Sequence, residues 1–106
     1  MQLLVQDLHR KYPLPLVLCE RCGKQHILGP KVLHGSHQVL DGYFGGGRIR
    51  VFFRKNTIEL QSDGVSEWSF NNERKGDRES VAIAPDATPC IMQIGELRYL
   101  VSATRH

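Results

Sequence analysis

From residue 48 onward the sequence is written in period two. The stretches "RIRVFFR" (48–54), "TIELQ" (57–61), "VSEWSF" (65–70), "SVAIA" (80–84), "CIMQI" (90–94) and "LRYLVS" (97–102) are short, rich in β-branched and aromatic residues, and closed by turn chemistry. A strand sends successive side chains to opposite faces, so these segments predict half-buried strands, and none is long and periodic enough for a helix. Gly95 leading Glu96 suits a two-residue hairpin turn that needs positive φ at its first central residue, which joins 90–94 to 97–102. The run "NNERKGDRE" (71–79), with two asparagines and alternating charge, reads as a solvated loop. A chain of 106 residues holds one hydrophobic core and not two. The expectation is therefore a mostly β fold of the small α+β kind in a single domain, residues 1–106, whose β body over 48–102 is an antiparallel meander or a small barrel or sandwich.

The N-terminal part reads differently. Met1, Leu4, Val5, Leu8 and Tyr12 recur at helical spacing, and Pro13 must stop any helix they form, which predicts a short amphipathic helix over residues 1–13. "PLPLVL" follows, with prolines at its first and third positions, and reads as an extended arm or edge strand running into Cys19.

Residues 14–37 carry the metal-binding signal. Zinc takes four sulfur or nitrogen ligands in a tetrahedron, and two cysteines separated by two residues at a tight turn can present both thiolates to one ion. Cys19-Glu-Arg-Cys22-Gly23-Lys24 has that form, with a glycine that permits the positive φ needed to double back. The hexapeptide resembles the knuckle of zinc ribbons and zinc fingers, and the resemblance implies that Cys19 and Cys22 are ligands of a structural zinc ion. His34 and His37, flanking a Gly-Ser turn, complete a spacing of two, eleven and two close to that of zinc fingers. Gly29-Pro30 and Gly35 argue against a helix there, so the expected site is borne by loops. His26, on a strand "QHIL" leaving the knuckle, is the alternative third ligand, with Cys90, His9 and His106 further candidates. A reduced structural pair is the plainer reading of the two cysteines. A thioredoxin-like redox pair would have to open a helix, which Gly23 and Gly29-Pro30 do not allow.

The second informative segment is "DGYFGGGRIRVFFRKN". As a strand, 48–54 sends Ile49, Val51 and Phe53 to the core and Arg48, Arg50, Phe52 and Arg54 to the other face. Arginines two residues apart, about 6.6 Å at the usual strand rise, can follow the phosphates of a single strand while Phe52 stacks on a base. Arg48, Arg50, Phe52 and Arg54 are thus the candidate nucleic-acid contacts, with Lys24 or Lys31 nearby. Gly45 to Gly47 would let a backbone approach a ligand. The plainer reading makes the arginines gatekeepers of an exposed or edge strand, with Glu59 or Glu67 opposite as cross-strand ion pairs.

Charge and motif content narrow the classes. The net charge is +3, and it is uneven: residues 1–55 hold nine Lys and Arg against three acids, a balance of +6, while 56–106 sum to −3. That asymmetry points to an anionic partner for the first half. No His-Glu-x-x-His, nucleophile elbow or Gly-rich nucleotide loop is present, so catalysis has little support. No apolar run nears the roughly 18 residues of a membrane span, and an odd number of cysteines with two placed three positions apart does not make a disulfide framework. These features predict a soluble, cytoplasmic, zinc-stabilised binding module with single-stranded nucleic acid as ligand, or else a protein-binding adaptor or inhibitor domain carrying the same structural metal.

Overall fold

The computed structural model describes residues 1–8, 16–23, 25–29, 38–39, 47–65 and 67–105. Eleven strands are found among them: β1 (Gln2–Asp7), β2 (Leu16–Cys19), β3 (Gln25–Gly29), β4 (Gln38–Val39), β5 (Arg48–Phe53), β6 (Ile58–Asp63), β7 (Trp68–Phe70), β8 (Glu73–Lys75), β9 (Ser80–Ile83), β10 (Cys90–Ile94) and β11 (Leu97–Thr104). They form a six-stranded sheet in the order β2-β1-β11-β10-β7-β8 and a five-stranded sheet in the order β4-β3-β5-β6-β9. Neighbours are antiparallel apart from the two-residue pair of β3 with β4. Of the alternatives read from the pattern, a simple meander is excluded. The chain leaves the smaller sheet after β6, builds β7 and β8 in the larger one, returns for β9, and crosses again for β10 and β11.

Each sheet buries one face, and the two faces meet in a single cluster. The larger sheet contributes Leu3, Val5, Leu18, Trp68, Met92, Ile94, Tyr99 and Val101, and the smaller one Leu28, Ile49, Val51, Phe53, Ile58, Leu60 and Ile83. The inward triad Ile49, Val51 and Phe53 is the one the alternation of 48–54 predicts. The sheets are also joined by polar bonds at one end, where the Gly76 carbonyl accepts from Ser62 Oγ and from Trp68 Nε1, both at 2.9 Å. Ser62 is buried in an otherwise apolar face, and this shared acceptor satisfies its hydroxyl.

The predicted N-terminal helix is wrong. Gln2–Asp7 is a strand that pairs with β11 through Gln2↔Thr104 to Asp7↔Tyr99 and with β2 on its other side. "QLLVQD" satisfies both periods, because Leu3 and Val5 alternate as well as Leu4 and Leu8 recur, and a run this short does not distinguish them. Two flanking ladders decide the matter, and Leu3 and Val5 go inward while Leu8 is 43% exposed. Prolines 13 and 15 precede an edge strand as read, since β2 closes one side of the larger sheet.

The 71–79 loop also needs correction. Asn71 and Asn72 take φ of 51° and 66°, the left-handed pair of a tight hairpin, so β8 folds back on β7 with Phe70 opposite Glu73. Asparagine tolerates that conformation, and reading the pair only as a loop signal missed a strand. The Gly95 turn is as expected, with φ of 61° and Ile94 opposite Leu97. Gly47 serves a close approach of a different kind from the one foreseen. A Cβ there would lie 2.5 Å from the Gly64 carbonyl carbon and 2.7 Å from the Val65 nitrogen, so the glycine admits the chain's own backbone rather than a ligand's. No helix among the described residues is long and apolar enough to cross a membrane.

Candidate functional site

The cysteine turn is built by β2 and β3. Cys19 ends β2 in extended conformation, Glu20–Cys22 make one 3-10 turn closed by the Gly23 amide donating to Glu20 O at 3.1 Å, and Gly23 reverses the chain with φ of 148°. Cys22 is exposed and Cys19 half-buried, its Sγ 3.6 Å from Gln2 Nε2. The turn by itself does not support the predicted metal knuckle, since among the described residues no set of ligands gathers around it.

His26 is not the third ligand that its spacing allowed. It lies on β3 with its side chain in the core, edge-on to Phe53 at 5.5 Å between ring centroids, and it is 1% exposed. Its Nε2 is 2.9 Å from Gly23 O and 3.2 Å from Cys19 O, the two carbonyls that bracket the turn. Carbonyls only accept, so Nε2 carries the hydrogen and donates to both. The imidazole is a clamp on the turn. Cys90 is removed from it as well: it lies on β10, three strands from β2, with its thiol donating to Thr88 O. His9, His34, His37 and His106 lie outside the described residues, and among the described residues no three metal-ligating side chains gather.

The arginine strand is positioned as read, but its charges are answered. β5 is central in the smaller sheet, not an edge, so the gatekeeper reading fails in that respect. The two-residue loop Lys55-Asn56, closed by the Arg54 amide on Thr57 O at 2.8 Å, sets β5 against β6 with Phe52 opposite Glu59 and Arg48 opposite Asp63. Asp63 Oδ2 receives Arg48 Nε at 3.0 Å and Arg50 Nη2 at 3.0 Å, while Arg54 Nε reaches Glu59 at 3.4 Å. The Arg54 guanidinium also lies over the Phe52 ring, 4.8 Å from its centroid, and covers one of its two faces. Glu67 pairs with Arg74 instead. Arg48, Arg50 and Arg54 therefore find second-half acids, and the asymmetry of the sequence is reduced on this surface, where three guanidiniums share two carboxylates. Lys24 and Lys31 lie outside the described residues.

Asp63, the last residue of β6, is a site residue that the sequence reading does not single out. The hydrogen bond from Arg50 holds its carboxyl below the ordinary value of 3.8, burial works the other way, and the charges of Arg48 and Arg50 add to the lowering. A carboxyl lowered in the folded state stabilises above its unfolded value, and that contribution is lost as pH falls from about 3.8 through the lowered folded value. Asp63→Asn is expected to flatten the acid limb of stability against pH below 4, as read by urea unfolding at stepped pH.

The outer face of the larger sheet contrasts with that of the smaller. On β2, β1, β10 and β7 the outward positions are Val17 and Cys19, Gln2, Leu4 and Gln6, Ile91 and Gln93, and Ser69, none of them charged, while β11 adds Leu100, Ser102 and Thr104 and one exposed charge, Arg98, opposite Gln93. The registers Leu4↔Val17, Leu4↔Ser102, Gln6↔Leu100 and Ile91↔Leu100 line up Val17, Leu4, Leu100 and Ile91 as an apolar diagonal. Leu8 extends it, because its amide donates to Arg98 O and continues the ladder at outward phase. Leu8 and Val17, 43% and 44% exposed, are the large apolar side chains most open to solvent among the described residues. Sequence reading missed this face because Leu4 and Leu8 were assigned to the buried side of a helix. No protein-family model, curated protein or solved structure matches the chain.

Proposed function

We propose that the chain is a protein-binding module that meets its partner through the outer face of the larger sheet. The observation that carries this is the uncharged diagonal Val17–Leu4–Leu100–Ile91, extended by Leu8, in a chain of which 24% of residues are charged. Exposed apolar side chains in contact with one another mark interaction surfaces, whereas single ones do not. The partner this face fits presents an apolar, weakly charged surface of its own. The pairing of Arg48, Arg50 and Arg54 with Asp63 and Glu59 supports a protein partner over single-stranded nucleic acid.

Photo-crosslinking in cells tests the reading. A photoreactive residue in place of Val17 is expected to give discrete protein adducts that nuclease leaves unchanged and Leu100→Lys abolishes, while the same residue in place of Phe52 gives none. Labelled single-stranded oligonucleotides at low salt are expected not to bind saturably. Saturable binding with a salt slope near −2, the value for about three phosphates, weakened by Phe52→Ala, would replace this reading by the nucleic-acid one.

The structural zinc belongs to the same proposal. Cys19 and Cys22 at the two ends of a clamped turn suit two thiolate ligands, and His34 and His37 would complete the set. Elemental analysis is expected to find one zinc per chain, lost in Cys22→Ser, and a metal-free wild type would remove zinc from the account.

A further inference from the structure

We infer that two copies of this chain pair edge to edge through β9, antiparallel and about a two-fold axis at Ala82. Edge strands carry unpaired backbone groups, and proteins guard them with charge, proline, brevity or cover. Among the described residues the other three edges each carry at least one such feature. On β2 the outward carbonyl of Cys19 is taken by His26 Nε2, β8 consists of Glu73, Arg74 and Lys75, and β4 is two residues long.

β9 has no such device. "SVAIA" (80–84) holds no charge and no proline, and its outward side chains at Ser80 and Ala82 are small and exposed. The Ser62 amide donates to Glu79 O at 3.2 Å, so Glu79, Val81 and Ile83 turn their backbone groups toward β6 and those of Ser80 and Ala82 point away. Among the described residues nothing pairs with those groups.

The charge pattern selects a second copy as the occupant. Arg78 and Asp86 stand four residues on either side of Ala82, both exposed, and both with left-handed backbone, φ 65° and 62°, that ends the strand symmetrically. With Ala82 opposite Ala82 of the second copy, Ser80 faces Ala84, and the turn that bears Arg78 at one end of each strand comes beside the turn that bears Asp86 at the end of the other. Two identical ion pairs then bracket one short ladder, as an isologous contact requires. Within one copy the Asp86 amide donates to Ala103 O at 2.8 Å, and among the described residues its carboxylate is met by Arg105 at 3.7 Å, with both side chains more than half exposed, a pairing weak enough to exchange. The product is a ten-stranded sheet made of two five-stranded ones. It leaves the larger sheet's outer face uncovered, so the inference stands apart from the proposed partner surface and the dimer would present that face twice.

Sedimentation velocity over a concentration series tests it. Wild type is expected to shift from monomer toward dimer as concentration rises. Ala82→Pro removes an outward amide, a change tolerated on an edge strand, and is expected to abolish dimer without altering the melting temperature. Ala82→Lys sets two ammonium groups face to face on the axis and is expected to give the same loss, which guards against a misfolded proline variant. Arg78→Asp and Asp86→Arg should each weaken the dimer at least tenfold, and the double exchange should restore it. A protein that stays monomeric, a dimer indifferent to Ala82→Pro and Ala82→Lys, or a double exchange no better than the single changes overturns the inference. A monomer whose β9 variants lose a crosslinked partner would assign the edge to another protein and overturn it equally.

Discussion

Val51→Asp is expected to cost about 4 kcal/mol or more, enough to unfold a domain of ordinary stability. Val51 is fully buried on the central strand of the smaller sheet, opposite His26 on β3 and Leu60 on β6. A carboxylate there loses its water while the guanidiniums of β5 project from the other face, and His26 beside it could pair with it only by taking a proton into the core. It must either bury a charge or take up a proton, and both outcomes oppose folding. Arg50→Gln, one residue away, removes part of a half-exposed ion pair and should cost less than about 1 kcal/mol. Urea unfolding of the two variants compares the faces directly. Equal losses would place β5 one residue out of register.

His26→Ala should be the next most damaging change, at about 3 to 4 kcal/mol. It removes a buried ring packed on Phe53 and the donor shared by Cys19 O and Gly23 O. His26→Leu refills most of the volume without restoring the donor, so its cost, about 2 kcal/mol, isolates the hydrogen bonds from the cavity. Both variants should also raise the rate at which a thiol reagent modifies Cys19, because the turn is no longer held at its two ends. If His26→Leu is as stable as wild type, with unchanged thiol reactivity, the clamp is not what orders the turn.

The legible parts of this fold were those set by residues close in sequence. The six stretches from 48 to 102 became β5, β6, β7, β9, β10 and β11, and the inward side of β5 was read correctly because alternation is local geometry. The register of β5 on β6 was equally within reach. Taking Lys55-Asn56 as a two-residue loop sets Phe53 opposite Ile58 and brings Asp63 to Arg48, which predicts an arginine face partly offset by acids. Glu59 was foreseen as a partner of these arginines. Asp63 stands in "SDG", whose composition signals a turn, and only the length of the β5–β6 ladder makes it the last residue of a strand.

The remaining choices belong to contacts between distant residues. By itself the sequence determined a β body, its turn at Gly95, and the inward face of β5, because strand alternation and glycine backbone freedom act over a few residues. Only the tertiary structure decided that Gln2–Asp7 is a strand, since its ladder partner is the other end of the chain, and that Leu4 and Leu8 therefore face outward. It likewise decided the work of His26. A histidine three residues past a Cys-Gly turn is a metal ligand or a hydrogen-bond donor according to which way β3 turns its side chain, and β3 is oriented by its pairing with β5, twenty-odd residues away, which sends that imidazole inward onto the Cys19 and Gly23 carbonyls.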